Sequence, residues 1–130
     1  IEEIRNKGFN IYTNLKELNI SNNQIEYINK NAFLRCYKME KLNICHNKIR
    51  LINKKIFNSF NNLKQLNLSE NKIVNIENGL FNKLIFLEFL FLNKNQITLV
   101  QNGTFENLSN LKRLGLSGNK ITMIEKDSFK

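Results

Sequence analysis

The sequence predicts an α/β solenoid with a curved parallel β-sheet on its concave face and loops or short 3-10 turns on its convex face. Three observations carry this. Asn23, Asn47, Asn71, Asn95 and Asn119 follow one another at a constant step of 24 residues. Phe9, Phe33, Phe57, Phe81, Phe105 and Phe129 keep the same interval. In Leu63-Lys64-Gln65-Leu66-Asn67-Leu68-Ser69-Glu70-Asn71, Leu66 and Leu68 alternate with polar neighbours, which is the period-2 pattern of a half-buried strand. Asn71 falls where that strand must turn. A fixed period of this size marks units that stack into one elongated core.

Taken in order, residues 1–14 read as the tail of a preceding unit, with Tyr12 at a position usually held by an inward Leu. Residues 15–38 form the first full unit, on Leu15, Leu18, Ile20, Asn23, Ile25, Ile28 and Phe33, with Cys36 replacing the late Leu. Residues 39–62 follow with Met39, Leu42, Ile44, Asn47, Ile49, Ile52, Phe57 and Phe60. Units 63–86 and 87–110 keep the frame, with Val100 in place of Ile, and 111–130 is a truncated unit beginning at Leu111. Both ends lack a polar cap, and uncapped solenoid ends expose apolar core. The chain is therefore expected to be a fragment of a longer protein.

The frame has a physical rationale. One unit has about seven inward apolar positions worth roughly 1.5–3 kcal/mol each, against about 1.5 kcal/mol of conformational entropy per residue, so a lone unit should not fold. Stacking is obligatory. Strands pair in parallel, and each Asn amide can satisfy turn backbone that burial would otherwise leave unpaired.

The frame L-x-x-L-x-L-x-x-N-x-I-x-x-I-x-x-x-x-F resembles the typical 24-residue subclass of leucine-rich repeats, and the resemblance runs over essentially the whole chain. It implies relatives among Toll-like receptor ectodomains, jawless-vertebrate lymphocyte receptors and small matrix proteoglycans. It also implies an extracellular or cell-surface place and binding rather than catalysis. The function expected is recognition of a protein or other ligand within a receptor, of innate-immune type for example, or within a secreted recognition protein. A structural or adhesive matrix protein is the alternative. No cofactor is implied.

The net charge is +9, which raises an anionic-ligand or nucleic-acid reading. Lys, Asn, Ile and Phe are all favoured by A/T-rich codons, so composition accounts for part of the excess, and nucleic acid is the weaker expectation. Some charge also reads as structural. Lys16, Glu40, Lys64, Glu88 and Lys112 share one repeat position, where in-register strands would set opposite signs side by side.

In each strand the Leu positions point inward, so the residues between them should face the concave surface. One such column reads Glu17, Lys41, Gln65, Phe89, Arg113, and the next reads Asn19, Asn43, Asn67, Phe91, Gly115. Most are polar. Phe89 and Phe91 stand out beside Arg113, and with Lys41 and Gln65 they are the candidate partner-binding residues. The plain alternative is that the two rings pack on each other and on neighbouring stems.

A flank carries Tyr27, Leu51, Leu99 and Met123 at one repeat position, a broken apolar row that could support lateral homo- or heterodimers or act as half-buried spacers. Cys45 and His46 share a neighbourhood with Glu70, yet adjacent strand residues point to opposite faces and no oxyanion-type glycine turn follows. Catalysis is not expected. Two separated cysteines and one histidine give no metal ligand set. Cys36 should face inward and Cys45 outward, which disfavours a disulfide between them. Four N-x-[ST] sequons, at Asn19, Asn67, Asn102 and Asn107, are candidate N-glycosylation sites. Asn102 and Asn107 are expected on the convex or descending side, whereas glycans on Asn19 and Asn67 would cover the polar part of the concave sheet. No apolar run reaches the roughly 18 residues of a membrane span.

Overall fold

The computed structural model describes residues 1–129. Its strands, in chain order, are β1 (Glu3–Ile4), β2 (Glu17–Asn19), β3 (Tyr27–Ile28), β4 (Lys41–Asn43), β5 (Gln65–Asn67), β6 (Phe89–Phe91), β7 (Leu99–Val100), β8 (Arg113–Gly115) and β9 (Met123–Ile124). Strands β2, β4, β5, β6 and β8 lie in that order in one parallel five-stranded sheet. Leu18, Leu42, Leu66, Leu90 and Leu114 are register partners along it. Each strand thus points one leucine inward and two side chains outward, as the alternation requires.

The asparagines lock successive rungs. Asn71 Nδ2 donates to the Leu68 and Ser69 carbonyls of its own rung and to Ile44 O of the rung before, all within 3.2 Å. Its Oδ1 accepts from the Ile49 N–H at 3.1 Å. Asn47 and Asn95 repeat the pattern, and Asn119 bridges to Leu92 O. Asn23 reaches only Ile20 O and Ser21 O in its own rung. Buried amides that would otherwise lack partners are satisfied in this way, which makes Asn the required residue type.

A phenylalanine spine runs along the convex side of the core. Phe57 to Phe81, Phe81 to Phe105 and Phe105 to Phe129 stack at 5.4–6.1 Å between ring centroids. Between Phe33 and Phe57 the contact passes through Phe60, 5.4 Å from one ring and 6.0 Å from the other. That extra ring sits where the rung before it carries Cys36, which is fully buried. The rung with Phe60 is also the one whose convex turn is a 3-10 helix, Lys54–Phe57, begun by Asn53 Oδ1 accepting from the Lys55 N–H at 2.9 Å. This turn is the only helix among the described residues, so the α part of the class amounts to a single 3-10 turn.

Two features were not legible in the sequence. The flank carries its own two-stranded parallel pairs, β1 with β3 and β7 with β9. Their two-residue length is too short for periodicity to reveal. The third residue past each concave strand is also left-handed: Asn22, His46, Glu70 and Lys94 have φ of 53–56°, and Gly118 has 71°. Four non-glycine residues accept this conformation because their N–H groups bond to the next rung, for example Glu70 N to Asn93 O at 2.8 Å.

One expectation fails. Tyr12 holds a core position in the repeat frame but is 51 % exposed, its ring 6.2 Å from Phe9. No rung lies on its other side in this chain to cover it. The frame expected for residues 111–130 ends on Lys130, which lies outside the described residues.

Candidate functional site

The concave sheet displays the columns that the alternation assigns to it. Glu17, Lys41, Gln65, Phe89 and Arg113 are register neighbours, as are Asn19, Asn43, Asn67, Phe91 and Gly115. Phe89 and Phe91 are both half-buried on either side of the buried Leu90. Among the described residues, no ring contact joins them to each other. The Arg113 guanidinium instead lies 5.9 Å from the centroid of Phe91, within cation–π range. Ile85 and Phe86, just before the strand, are exposed, so the apolar character of this rung extends past the sheet edge.

Lys41 is less available than its column position implies. It meets Glu17 at 2.8 Å, and hydrogen bonding to that carboxylate, reinforced by its charge, raises the lysine above its ordinary pKa. Gln65 is half-buried between Lys41 and Phe89. The charge ladder forms in pairs: Lys16 to Glu40 at 3.5 Å, Lys64 to Glu40 at 3.1 Å and Lys112 to Glu88 at 2.7 Å. Glu40 is held below its ordinary pKa by the Lys64 hydrogen bond and charge, with Lys16 adding to it.

The asparagine column at Asn19, Asn43 and Asn67 does work that the sequence reading missed. Each Oδ1 accepts the N–H two residues on, from Ser21, Cys45 and Ser69, at 3.0–3.1 Å. These are Asx turns that cap the strand ends, and Asn two residues before a turn was the available signal. In the last rung Gly115 occupies this position and cannot cap. Asn93 of the rung before it takes over, accepting from Ser117 N at 3.1 Å. A Cβ on Gly115 would lie 2.5 Å from Asn93 Nδ2, so the glycine makes room for the substitute cap.

Of the sequon asparagines, Asn19 and Asn67 lie on the concave sheet with their Oδ1 atoms engaged, and Asn102 and Asn107 are exposed. On the flank, Tyr27, Leu51 and Met123 are exposed and Leu99 is half-buried. Leu51 and Leu99 share a cavity of about 580 Å³ with Asn75, and Leu99 pairs in register with Met123. His46 Nδ1 lies 3.6 Å from Glu70 Oε2, which also meets Lys94 at 3.6 Å. Cys36 and Cys45 are free thiols, the first buried and the second half-exposed on the concave side. Among the described residues there is no cluster of three or more His, Cys, Asp or Glu able to hold a metal, and no helix long and apolar enough to cross a membrane.

The family pattern described as leucine rich repeat matches residues 37–97 and 85–130, and a second pattern of that description matches residues 14–36. The chain belongs to the leucine-rich repeat family. No curated protein matches this leucine-rich repeat chain by sequence. Among solved structures, it is similar to the leucine-rich repeat domain of APL1, with a TM-score of 0.91 and 25 % identity over 96 % of this chain and 33 % of that one. It is similar to TLR13, solved in a complex with ssRNA13, with a TM-score of 0.71 and 26 % identity over 99 % and 22 % of the two chains. A third similar structure is the Toll–Spatzle complex, described as a hub in Drosophila development and innate immunity, with a TM-score of 0.87 and 25 % identity over 92 % and 18 %. This leucine-rich repeat chain therefore spans a third or less of each of these.

Proposed function

We propose that the chain is a non-catalytic recognition module of an extracellular or cell-surface protein, and that it binds a protein partner on its concave face. One observation carries the reading. Phe89 and Phe91 form the one aromatic rung of an otherwise polar sheet, with Arg113 over Phe91. Rigid aromatics beside an arginine are the usual composition of binding hot spots. Similarity to the Toll–Spatzle complex, described as a hub in development and innate immunity, supports an innate-immune setting. Five strands at about 4.8 Å spacing span only about 20 Å, so further repeats of a longer parent would share the partner. In such a setting the exposed Asn102 is the sequon best placed to carry a glycan.

The exposed Tyr27 and Leu51, at 55 % and 68 %, support a lateral contact on the flank as a second, separate surface. Sedimentation at high concentration tests it, and monomers alone would reject it.

For the concave site, the chain is screened against a displayed library of extracellular proteins. Phe89→Ser with Phe91→Ser should weaken a captured partner by at least about tenfold, with the circular dichroism unchanged. Unaltered affinity would reject the site.

A further inference from the structure

The convex side holds a second candidate site with different chemistry. Between the 3-10 turn at Lys54–Phe57 and the next rung lies a cavity of about 640 Å³, lined by Lys54, Lys55 and Lys83 with the amides of Asn58, Asn78 and Asn107. It opens where two unlike turns meet. One rung uses the 3-10 turn, whereas the next places Gly79 at the equivalent position with φ of +76°. A Cβ there would come within 3.3 Å of Asn82 Nδ2, so glycine keeps the floor open.

The charges around it are lopsided. No carboxylate lines the cavity. Lys54 has a long contact to Glu77, 3.9 Å, on the rim. Glu106 does not line it, although a Cβ built on Gly103 would lie 3.5 Å from Glu106 Oε2 and 3.3 Å from Oδ1 of the lining Asn78. Among the described residues, Lys55 and Lys83 have no ion-pair partner, in contrast to the laddered lysines of the concave side. Three lysines and no carboxylate line the cavity, so an anion entering it would meet only positive charge. Amide groups beside the lysines add neutral donors and acceptors suited to hydroxyls.

We propose that this convex cavity binds a sugar bearing an oxyanion ester, sulfate or phosphate, with Lys55 and Lys83 on the anion and the asparagine amides on the hydroxyls. The volume is that of a one- or two-ring ligand site. The site lies on the face opposite the aromatic rung, so it would add a glycan contact without competing for the concave partner.

The test uses sucrose octasulfate, glucose 6-phosphate and unmodified sucrose as probes, titrated by calorimetry at physiological salt. At least one of the two charged sugars should bind, and which one identifies the ester; sucrose alone should not bind. The exposed pair Lys55→Gln and Lys83→Gln should weaken binding by about tenfold or more. A control pair of equal charge, Lys30→Gln and Lys120→Gln, should change it less than about twofold. Equal loss in both pairs would show diffuse attraction to the net charge and overturn the site, as would failure of both charged sugars. Tighter binding of a single-stranded RNA oligonucleotide than of either charged sugar at the same salt would overturn the sugar assignment.

Discussion

Asn95 Nδ2 donates to the carbonyl of Leu68, 27 residues earlier, at 3.0 Å. The same amide donates to Leu92 O and its Oδ1 accepts from Ile73 N, so one side chain ties three segments of backbone together. Asn95→Ala leaves these groups buried and unpaired, and should cost about 3 kcal/mol. Asn23→Ala loses only half-buried bonds within its own rung and should cost about 1 kcal/mol. Urea unfolding of the two variants checks the ranking; equal losses would contradict an inter-rung role.

Gly115 depends on Asn93 rather than on flexibility. Gly115→Ala pushes the Asn93 amide away and uncaps Ser117, with an expected loss of about 1–2 kcal/mol. Asn93→Ser combined with Gly115→Asn recreates the pattern of Asn67 and Ser69 and should recover most of the stability. If the double variant is less stable than Gly115→Ala in thermal melts, the capping account fails.

Stability should fall as acid protonates Glu40. Its pKa is depressed in the folded chain by the Lys64 hydrogen bond and charge, with Lys16 adding to it. Its contribution is therefore present above the unfolded pKa and lost as pH drops through the folded value. Lys41 has the opposite sign: raised by Glu17, it contributes below the unfolded lysine pKa and loses this as pH climbs through the folded one. Melting temperature measured from neutral to acidic pH should decline less steeply in Glu40→Gln. Matching slopes would refute it.

The two cysteines should report the orientation of the rungs. Cys36 is fully buried, and burial raises its thiol pKa. Cys45 is half-exposed on the concave side. A maleimide should label Cys45 within minutes and Cys36 only in denaturant, as read by intact mass. Rapid double labelling of the native chain would contradict the packing.

Much of the architecture was legible because a repeat is a self-consistent pattern. Asn at a fixed step meant a shared hydrogen-bond ladder, and Phe at the same step meant a shared spine. The opposite-sign column of Lys16, Glu40 and Lys64 foretold ion pairs that the register then placed within reach. Legibility failed where the determining neighbour lies one rung away. The handover of the Ser117 cap to Asn93, and the contact of Phe60 with Phe33 that reroutes the ring spine, depend on residues 24 or more positions apart whose side chains meet only after stacking.

The amino-acid order by itself determined the rung length, the inward face and the aromatic break in the concave columns, since these follow from local alternation and phase. Tertiary structure alone decided that Arg113 lies over Phe91, that the left-handed turn past four of the concave strands falls on a non-glycine residue, and that unlike turns open a lysine-lined cavity. The physical reason is that hydrophobic phase is written along the chain, whereas charge pairing, capping and cavities are set by the distance between rungs.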